Sequence, residues 1–147
     1  MKEYHANKTD LFNIAKQLVF DCEKIESGRA VVLALQGELG AGKTTLTQHI
    51  AKVFGIKKNI TSPTFVIEKI YNIPKQTQSK FSKLVHIDAY RLQNKAELNT
   101  LGWGESLDNS TNIIVIEWSE NISTALPQNT IWVTLKHIDK ETRNIKW

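Results

Sequence analysis

The segment GELGAGKT, residues 37–44, has the residue types and spacing of a phosphate-binding loop. Gly37, Gly42, Lys43 and Thr44 occupy the fixed positions of the pattern G-x-x-x-x-G-K-[ST]. In such a loop the glycines let successive backbone N–H groups point at phosphate oxygens, and the helix that follows adds its positive N-terminal end. The lysine reaches the β- and γ-phosphates, and the hydroxyl ligates Mg²⁺. The segment therefore predicts a site for a nucleoside triphosphate and Mg²⁺.

Two carboxylates follow apolar runs later in the chain: Asp88 in VHIDAY and Glu117 in IVIEWSE. A Mg²⁺ site beside a phosphate-binding loop uses a carboxylate at the end of a neighbouring strand. Both acids fit that description, and a strand-end acid that faces solvent is the alternative for each. Spacing alone does not choose between them.

Four other side chains near these segments have both a functional and a structural interpretation. Thr64, in TSPTF, lies where GTPase-like proteins carry a γ-phosphate sensor, and an ordinary loop threonine is the alternative. Trp118 either walls the site or belongs to the core. His86 shares a strand face with Asp88, and we interpret it as a partly buried, hydrogen-bonded histidine rather than a catalytic one. Arg91 fits a phosphate or RNA contact as well as it fits a surface salt bridge.

The hydrophobic pattern around these motifs predicts an α/β fold of the P-loop NTPase type, with a largely parallel central sheet flanked by helices. The predicted helices are residues 9–26, with Thr9 as N-cap, 43–54 and 94–101. The predicted strands are 30–36, 65–73, a short strand ending at Asp88, and 113–118. Residues 130–138 and 142–147 are predicted to form a terminal hairpin. We predict loops at 74–83, which should be mobile, and at 102–110. Because ligands bind beyond the carboxyl ends of parallel strands, the loop at residues 37–44, Asp88 and Glu117 should meet at one edge of the sheet.

The composition predicts a single domain spanning residues 1–147, with 41% hydrophobic and 23% charged residues. The longest apolar run, 30–35, is too short to cross a bilayer, and the polar N-terminus does not look like a signal peptide. We therefore expect a cytoplasmic protein without membrane contact. The net charge of +4 fits a partner that carries phosphates, such as RNA, without requiring one. The only cysteine, Cys22, lies on the apolar stripe of the first helix, where a buried core residue is expected.

The sequence distinguishes among classes of P-loop protein. A GTPase should carry a base-reading N-K-x-D motif after a later strand, whereas NKTD at residues 7–10 precedes the loop and NKAE at 94–97 lacks the aspartate. A small-molecule kinase usually clamps its phosphates with several arginines, and this chain has three. A slow ATPase that switches a partner needs only the loop, a metal site and a γ-phosphate sensor. The ATPase is favoured, with a kinase as the alternative and a non-hydrolysing nucleotide-binding module as a third possibility.

Five segments, taken together, resemble the bacterial TsaE (YjeE) family in order and approximate spacing: GELGAGKTT, TSPTF, HIDAYRL, IEWSENI and ALP. The resemblance extends over about residues 9–135. It implies a protein that binds ATP and Mg²⁺, hydrolyses ATP slowly and works with TsaB and TsaD in forming threonylcarbamoyladenosine (t6A) in tRNA. The resemblance further implies that TsaD performs the transfer and that the ATP cycle of the TsaE-type protein resets the complex. Contact with tRNA is therefore expected to be indirect or through the complex.

The resemblance also implies roles for individual residues. The residues expected to bind ATP are Gly37, Glu38, Leu39, Gly40, Ala41, Gly42, Lys43, Thr44, Thr45 and Trp118. Thr44 and Glu117 are expected to ligate Mg²⁺, which decides between the two acids. Asp88 then belongs to a mobile switch segment that positions water or second-shell metal contacts, and Thr64 belongs to a second switch loop. The expected catalytic residues are Lys43, Thr64, Asp88 and Glu117.

Overall fold

The computed structural model describes residues 1–63 and 67–147, and in these residues it shows an α/β fold around a seven-stranded sheet. The strands are β1 (Glu3–Asn7), β2 (Val31–Gln36), β3 (Glu68–Asn72), β4 (Lys83–Asp88), β5 (Asn112–Glu117), β6 (Ile131–His137) and β7 (Thr142–Lys146). The helices are α1 (Leu11–Glu23), α2 (Lys43–Val53), α3 (Lys95–Asn99) and α4 (Trp103–Asp108), with 3₁₀ segments at Lys75–Thr77 and Ser119–Ala125.

The strands are arranged in the order β1-β7-β6-β2-β5-β4-β3. The four central strands β6, β2, β5 and β4 are parallel, and the outer strands pair antiparallel. β2 and β5 are apolar without alternation because both faces of the central sheet are covered. Helices α1 and α2 cover one face, while α3, α4 and the second 3₁₀ segment cover the other. This arrangement confirms the predicted α/β fold class.

Strand register brings the two candidate acids together at the carboxyl edge of the sheet. In the pairing of β2 with β5, Leu35 is opposite Glu117. In the pairing of β4 with β5, Asp88 is opposite the same Glu117. Glu117 therefore lies between Asp88 and the strand that leads into the loop at residues 37–42.

Cys22 is fully buried, as the sequence predicts. Burial, with a smaller contribution from Asp21, raises the pKa of its thiol to about 12. Because only the thiolate is an efficient nucleophile, Cys22 is a packing residue of the α1 face.

Several local features differ from the predictions. Asp10, rather than Thr9, is the N-cap of α1, and its side chain makes no capping hydrogen bond; the Thr9 hydroxyl instead donates to Asn7 Oδ1 (2.5 Å) in the preceding turn. Residues 102–110, predicted as a loop, contain α4, whose apolar Trp103 and Leu107 are one helical turn apart and buried. The N-terminal strand β1 was not predicted.

The segment 74–83, predicted as a mobile loop, is instead attached to the core. Phe81 is buried and packs edge-on against Phe54, with ring centroids 6.1 Å apart. The Thr77 hydroxyl donates to the carbonyl of Phe54 (2.9 Å), and the Ser79 hydroxyl donates to the Glu23 carboxylate. The buried Phe81 ring and these two hydrogen bonds together attach the connection between β3 and β4 to the core.

Candidate functional site

The loop at residues 37–42 links β2 to α2 and depends on glycine at two positions. Gly37 has φ = 151°, and a Cβ there would lie 2.3 Å from the carbonyl oxygen of Leu135. Gly42, the N-cap of α2, has φ = 104°, a region that side chains disfavour. The loop therefore turns tightly, and α2 begins directly after it with its N-terminal N–H groups facing the loop.

Lys43 is held inside this loop. Its side chain is buried, and Nζ donates to the carbonyl oxygens of Gly37 (2.5 Å) and Glu38 (3.0 Å). Nζ also lies 3.7 Å from the centroid of the Trp118 ring, in cation–π contact. Burial lowers the pKa of Lys43, while the negative charges of Glu120, Glu117 and Asp88 oppose that shift. The ammonium is thus poised in a concave site without a carboxylate salt bridge among the described residues.

Glu117 is buried at the end of β5 and is held at both carboxylate oxygens. Its Oε2 accepts a hydrogen bond from the Thr44 hydroxyl at 2.8 Å. Its Oε1 lies 2.8 Å from Nε2 of His86, which is fully buried. We predicted a partly buried, hydrogen-bonded histidine; burial is complete, and the partner is a residue of the site.

Asp88 is buried at the end of β4, opposite Glu117 at the same carboxyl edge of the sheet. Its Oδ2 accepts from the Ser62 hydroxyl (2.8 Å), and its Oδ1 accepts from the backbone N–H of Tyr90 (2.9 Å). The following residue, Ala89, donates its N–H to the carbonyl of Glu117 (2.9 Å). The segments after β4 and β5 are therefore joined directly at the sheet edge.

A cavity of about 460 Å³ opens over this edge. It is lined by Leu39, Gly40, Gly42, Lys43, Thr44, Thr45, Ser62, Asp88, Tyr90, Glu117 and Trp118. The structure thus brings together most of the residues singled out by sequence. Gly37 and Glu38 contribute carbonyls to Lys43 rather than lining the cavity, and the Ala41 side chain packs into the core.

Some candidate residues were missed or lie beyond what the structure describes. Thr64 lies outside the described residues, so its switch role stays a prediction. Ser62 and Tyr90 were missed, although both belong to quoted motifs, TSPTF and HIDAYRL. The Tyr90 ring packs against Trp118 with centroids 5.0 Å apart. A hydroxyl and an aromatic ring inside such motifs were the available signals.

The oxygens of Thr44 and Glu117 fit a small divalent cation. Mg²⁺ takes oxygen ligands at about 2.0–2.1 Å in octahedral geometry, so neighbouring ligands are about 2.8–3.0 Å apart. The observed separation of Thr44 Oγ1 and Glu117 Oε2 is 2.8 Å. Among residues 1–63 and 67–147, no group of three or more His, Cys, Asp or Glu side chains could hold a metal ion. Mg²⁺ needs no such cage, because water and phosphate oxygens supply its remaining ligands.

The covered parallel sheet, with a glycine-rich loop and buried lysine between its central strand and α2, defines a P-loop NTPase-like α/β protein. The family model for "Threonylcarbamoyl adenosine biosynthesis protein TsaE" matches residues 5–145. This chain belongs to the TsaE family.

Individual relatives agree with this assignment. The chain is 32% identical over 146 residues to the tRNA threonylcarbamoyladenosine biosynthesis protein TsaE of Haemophilus influenzae, covering 99% of this chain and 87% of that protein. It is 41% identical over 113 residues to the Rickettsia prowazekii protein of the same name, covering 76% and 73%. The crystal structure of Bacillus subtilis YdiB is similar with a TM-score of 0.72 and 28% identity, covering 98% of this chain and 82% of that one. No helix in the described part of the chain has the length and apolar character needed to span a bilayer.

Proposed function

We propose that this chain is a slow P-loop ATPase that binds ATP with Mg²⁺ and supports t6A formation in tRNA as a nucleotide-dependent switch on a TsaB–TsaD complex. Family membership supports the pathway. The observation that carries the ATPase is the position of Lys43, buried within the loop and next to the Thr44–Glu117 pair. The proposed location is the cytoplasm, with tRNA reached through the complex.

The loop binds the phosphates of ATP in this proposal. The N–H groups of residues 39–44 surround the phosphate oxygens, and the first turn of α2 adds its positive end. Lys43 exchanges the carbonyls of Gly37 and Glu38 for β- and γ-phosphate oxygens, which bind a cation more strongly. Trp118 closes one side of the space that Lys43 occupies.

Thr44 and Glu117 would hold Mg²⁺, which would supply charge neutralisation for the phosphates. The hydrogen bond between the two side chains keeps both oxygens facing the cavity. Asp88 has the position for orienting water beside the γ-phosphate. Ser62 and the N–H of Tyr90 fix its two oxygens, so that its direction is set before a ligand arrives.

A switch also needs a path from this site to a surface that a partner can contact. The Asn121 side chain donates to the carbonyl of Ala89 (3.0 Å) and so fastens the segment after β4 to the 3₁₀ segment after Trp118. Tyr90 in that segment is 58% exposed, and Leu39 of the loop is 84% exposed. These two side chains offer apolar contact area at the mouth of the nucleotide cavity, where a partner would sense its occupancy.

The kinase alternative is disfavoured by where two of the three arginines lie. Arg29 pairs with Asp108 through Nη2 at 2.5 Å, and Arg143 donates to the backbone carbonyls of residues 139, 140 and 142. Neither lines the cavity at the sheet edge. Only Arg91, which follows the cavity residue Tyr90, is then left for an arginine clamp on a migrating phosphoryl group, whereas kinases usually use several.

Reconstitution tests the proposal. The purified chain, TsaB and TsaD from the same organism, and tRNA are incubated with labelled ATP, and free phosphate and t6A are measured. We expect slow release of inorganic phosphate by the chain alone, faster release with the pair, and repeated t6A turnover only when the chain is present. Unchanged t6A turnover without the chain would contradict the switch. Label transferred to an added metabolite would establish the kinase instead.

A further inference from the structure

Burial of the His86 side chain is energetically unfavourable, and core packing alone does not explain why a histidine lies there. Its imidazole is fully buried on the face of β4 that also carries the core residue Leu84. Its Nδ1 is buried and has no hydrogen-bond partner in the structure described here. An unsatisfied buried polar atom is destabilising, so an apolar side chain would serve the core better at this position. What an apolar side chain could not provide is the contact of Nε2 with Glu117.

That contact has a defined direction. A carboxylate only accepts hydrogen bonds, so Nε2 carries the proton and donates to Glu117 Oε1 over 2.8 Å. The other oxygen of the same carboxylate, Oε2, is left to Thr44. Rotation of the carboxylate about its terminal bond would break both hydrogen bonds.

We infer that His86 is a positioning residue for the metal site: its Nε2–H holds Glu117 Oε1 so that Oε2 faces Thr44 and Mg²⁺. The inference rests on the proposed Mg²⁺–ATP site and adds a specific residue to it. When a group that hydrogen-bonds to a metal ligand and orients it is removed, metal affinity typically falls about 10–100-fold. His86 touches neither ATP nor Mg²⁺ and acts through Glu117.

The test is calorimetric titration of ATP, once with Mg²⁺ and once with EDTA, into three forms of the full chain. In the wild type, Mg²⁺ should strengthen ATP binding. His86→Phe, which fills the space without a donor, should lose about 10–100-fold of that strengthening and keep its affinity in EDTA. His86→Gln, whose amide nitrogen reaches about as far as Nε2, should retain most of it.

Two controls separate positioning from a structural role. In a Glu117→Ala background, His86→Phe should have no further effect on the Mg²⁺ response, because the carboxylate that His86 positions is absent. If His86→Phe does not fold, His86→Asn replaces it, since asparagine keeps a donor but is one methylene too short to reach Glu117.

The outcomes are distinct. A shifted melting temperature with an unchanged Mg²⁺ response in the donor-free variant would overturn the inference and leave the Mg²⁺ site intact. Absence of any Mg²⁺ effect in the wild type would overturn the proposed site and the inference with it.

Discussion

Glu117 Oε2 and Thr44 Oγ1 lie 2.8 Å apart, joining the end of β5 to the start of α2. The two residues are far apart in sequence, and the pairing of β2 with β5 brings them together. Their hydrogen bond places a carboxylate and a hydroxyl at the separation that two neighbouring Mg²⁺ ligands require. The sheet thus arranges both oxygens of the proposed metal site before a ligand is bound.

The two buried acids should differ in what they contribute. Glu117→Ala should abolish the strengthening of ATP binding by Mg²⁺, because the proposed metal ligand is lost. Asp88→Ala should keep that strengthening and lower the rate of hydrolysis, because the role proposed for Asp88 is to orient water. Titration calorimetry with and without Mg²⁺, combined with a phosphate-release assay, measures both effects. The opposite pattern would mean that Asp88 is the ligand.

Trp118 should report the movement of Lys43. Nζ lies 3.7 Å from the Trp118 ring centroid, and bound phosphates should draw the ammonium away. We expect ATP to change the intrinsic fluorescence of the wild type and to leave that of Trp118→Phe unchanged. The chain has four tryptophans, so the substitution assigns the signal. An equal change in Trp118→Phe would show that another tryptophan responds.

The loop should tolerate no side chain at its first glycine. Gly37→Ala places a methyl group 2.3 Å from the Leu135 carbonyl, and the required shift should destabilise the protein by about 2 kcal/mol. Gly104→Ala is the matched control, because Gly104 lies in α4 with nothing within 4 Å of the added Cβ. That variant should be neutral or more stable by about 0.5 kcal/mol. Urea denaturation compares them, and equal stability of both variants would refute the steric argument.

Asp21 should make stability depend on pH in the acid range. Burial raises the pKa of Asp21, but hydrogen bonds from Lys2 (2.6 Å), Trp147 (2.9 Å) and Gln17 (3.1 Å) outweigh it, so the net pKa is lowered from 3.8. A depressed carboxyl pKa stabilises the fold above the unfolded-state value and loses that effect as pH falls through the folded value. The contribution is therefore present at pH 7 and declines below about pH 4.

Asp21→Asn tests the ion pair between Asp21 of α1 and Lys2. At pH 7 the variant should lose about 1 kcal/mol of unfolding free energy, a modest value because Lys2 is 42% exposed. At pH 3 the difference from wild type should shrink. A difference that is the same at both pH values would show that packing, rather than charge, is responsible.

Sequence patterns were sufficient where burial imposes a regular repeat. The apolar runs of β2 and β5 are covered on both faces, and α2 follows a recognisable loop, so their positions were predicted within one or two residues. The carboxyl ends of these strands then placed Glu117 correctly beside the loop. β1 escaped prediction because only Ala6 in it is buried, and its place comes from pairing with β7.

Other features depend on register between distant segments. His86 reaches Glu117, and Ser62 reaches Asp88, only because β4 and β5 pair in parallel at specific positions and the segment after α2 returns to the edge. A single strand shows which face a residue shares but not which residue lies opposite. The glycines of residues 102–110 misled the prediction, because Gly102 starts α4 with φ = 74° rather than ending a regular element.

Titration of ATP into the wild type, Lys43→Ala and Lys52→Ala in the presence of Mg²⁺ tests the central claim most directly. Lys43 lies inside the loop, whereas Lys52 is exposed in the last turn of the same helix and serves as the matched control. Loss of two charge-assisted hydrogen bonds of about 1.5 kcal/mol each should weaken ATP binding on the order of 100-fold in Lys43→Ala, with Lys52→Ala close to wild type. Wild-type affinity in Lys43→Ala would contradict the assignment of this loop as the nucleotide site.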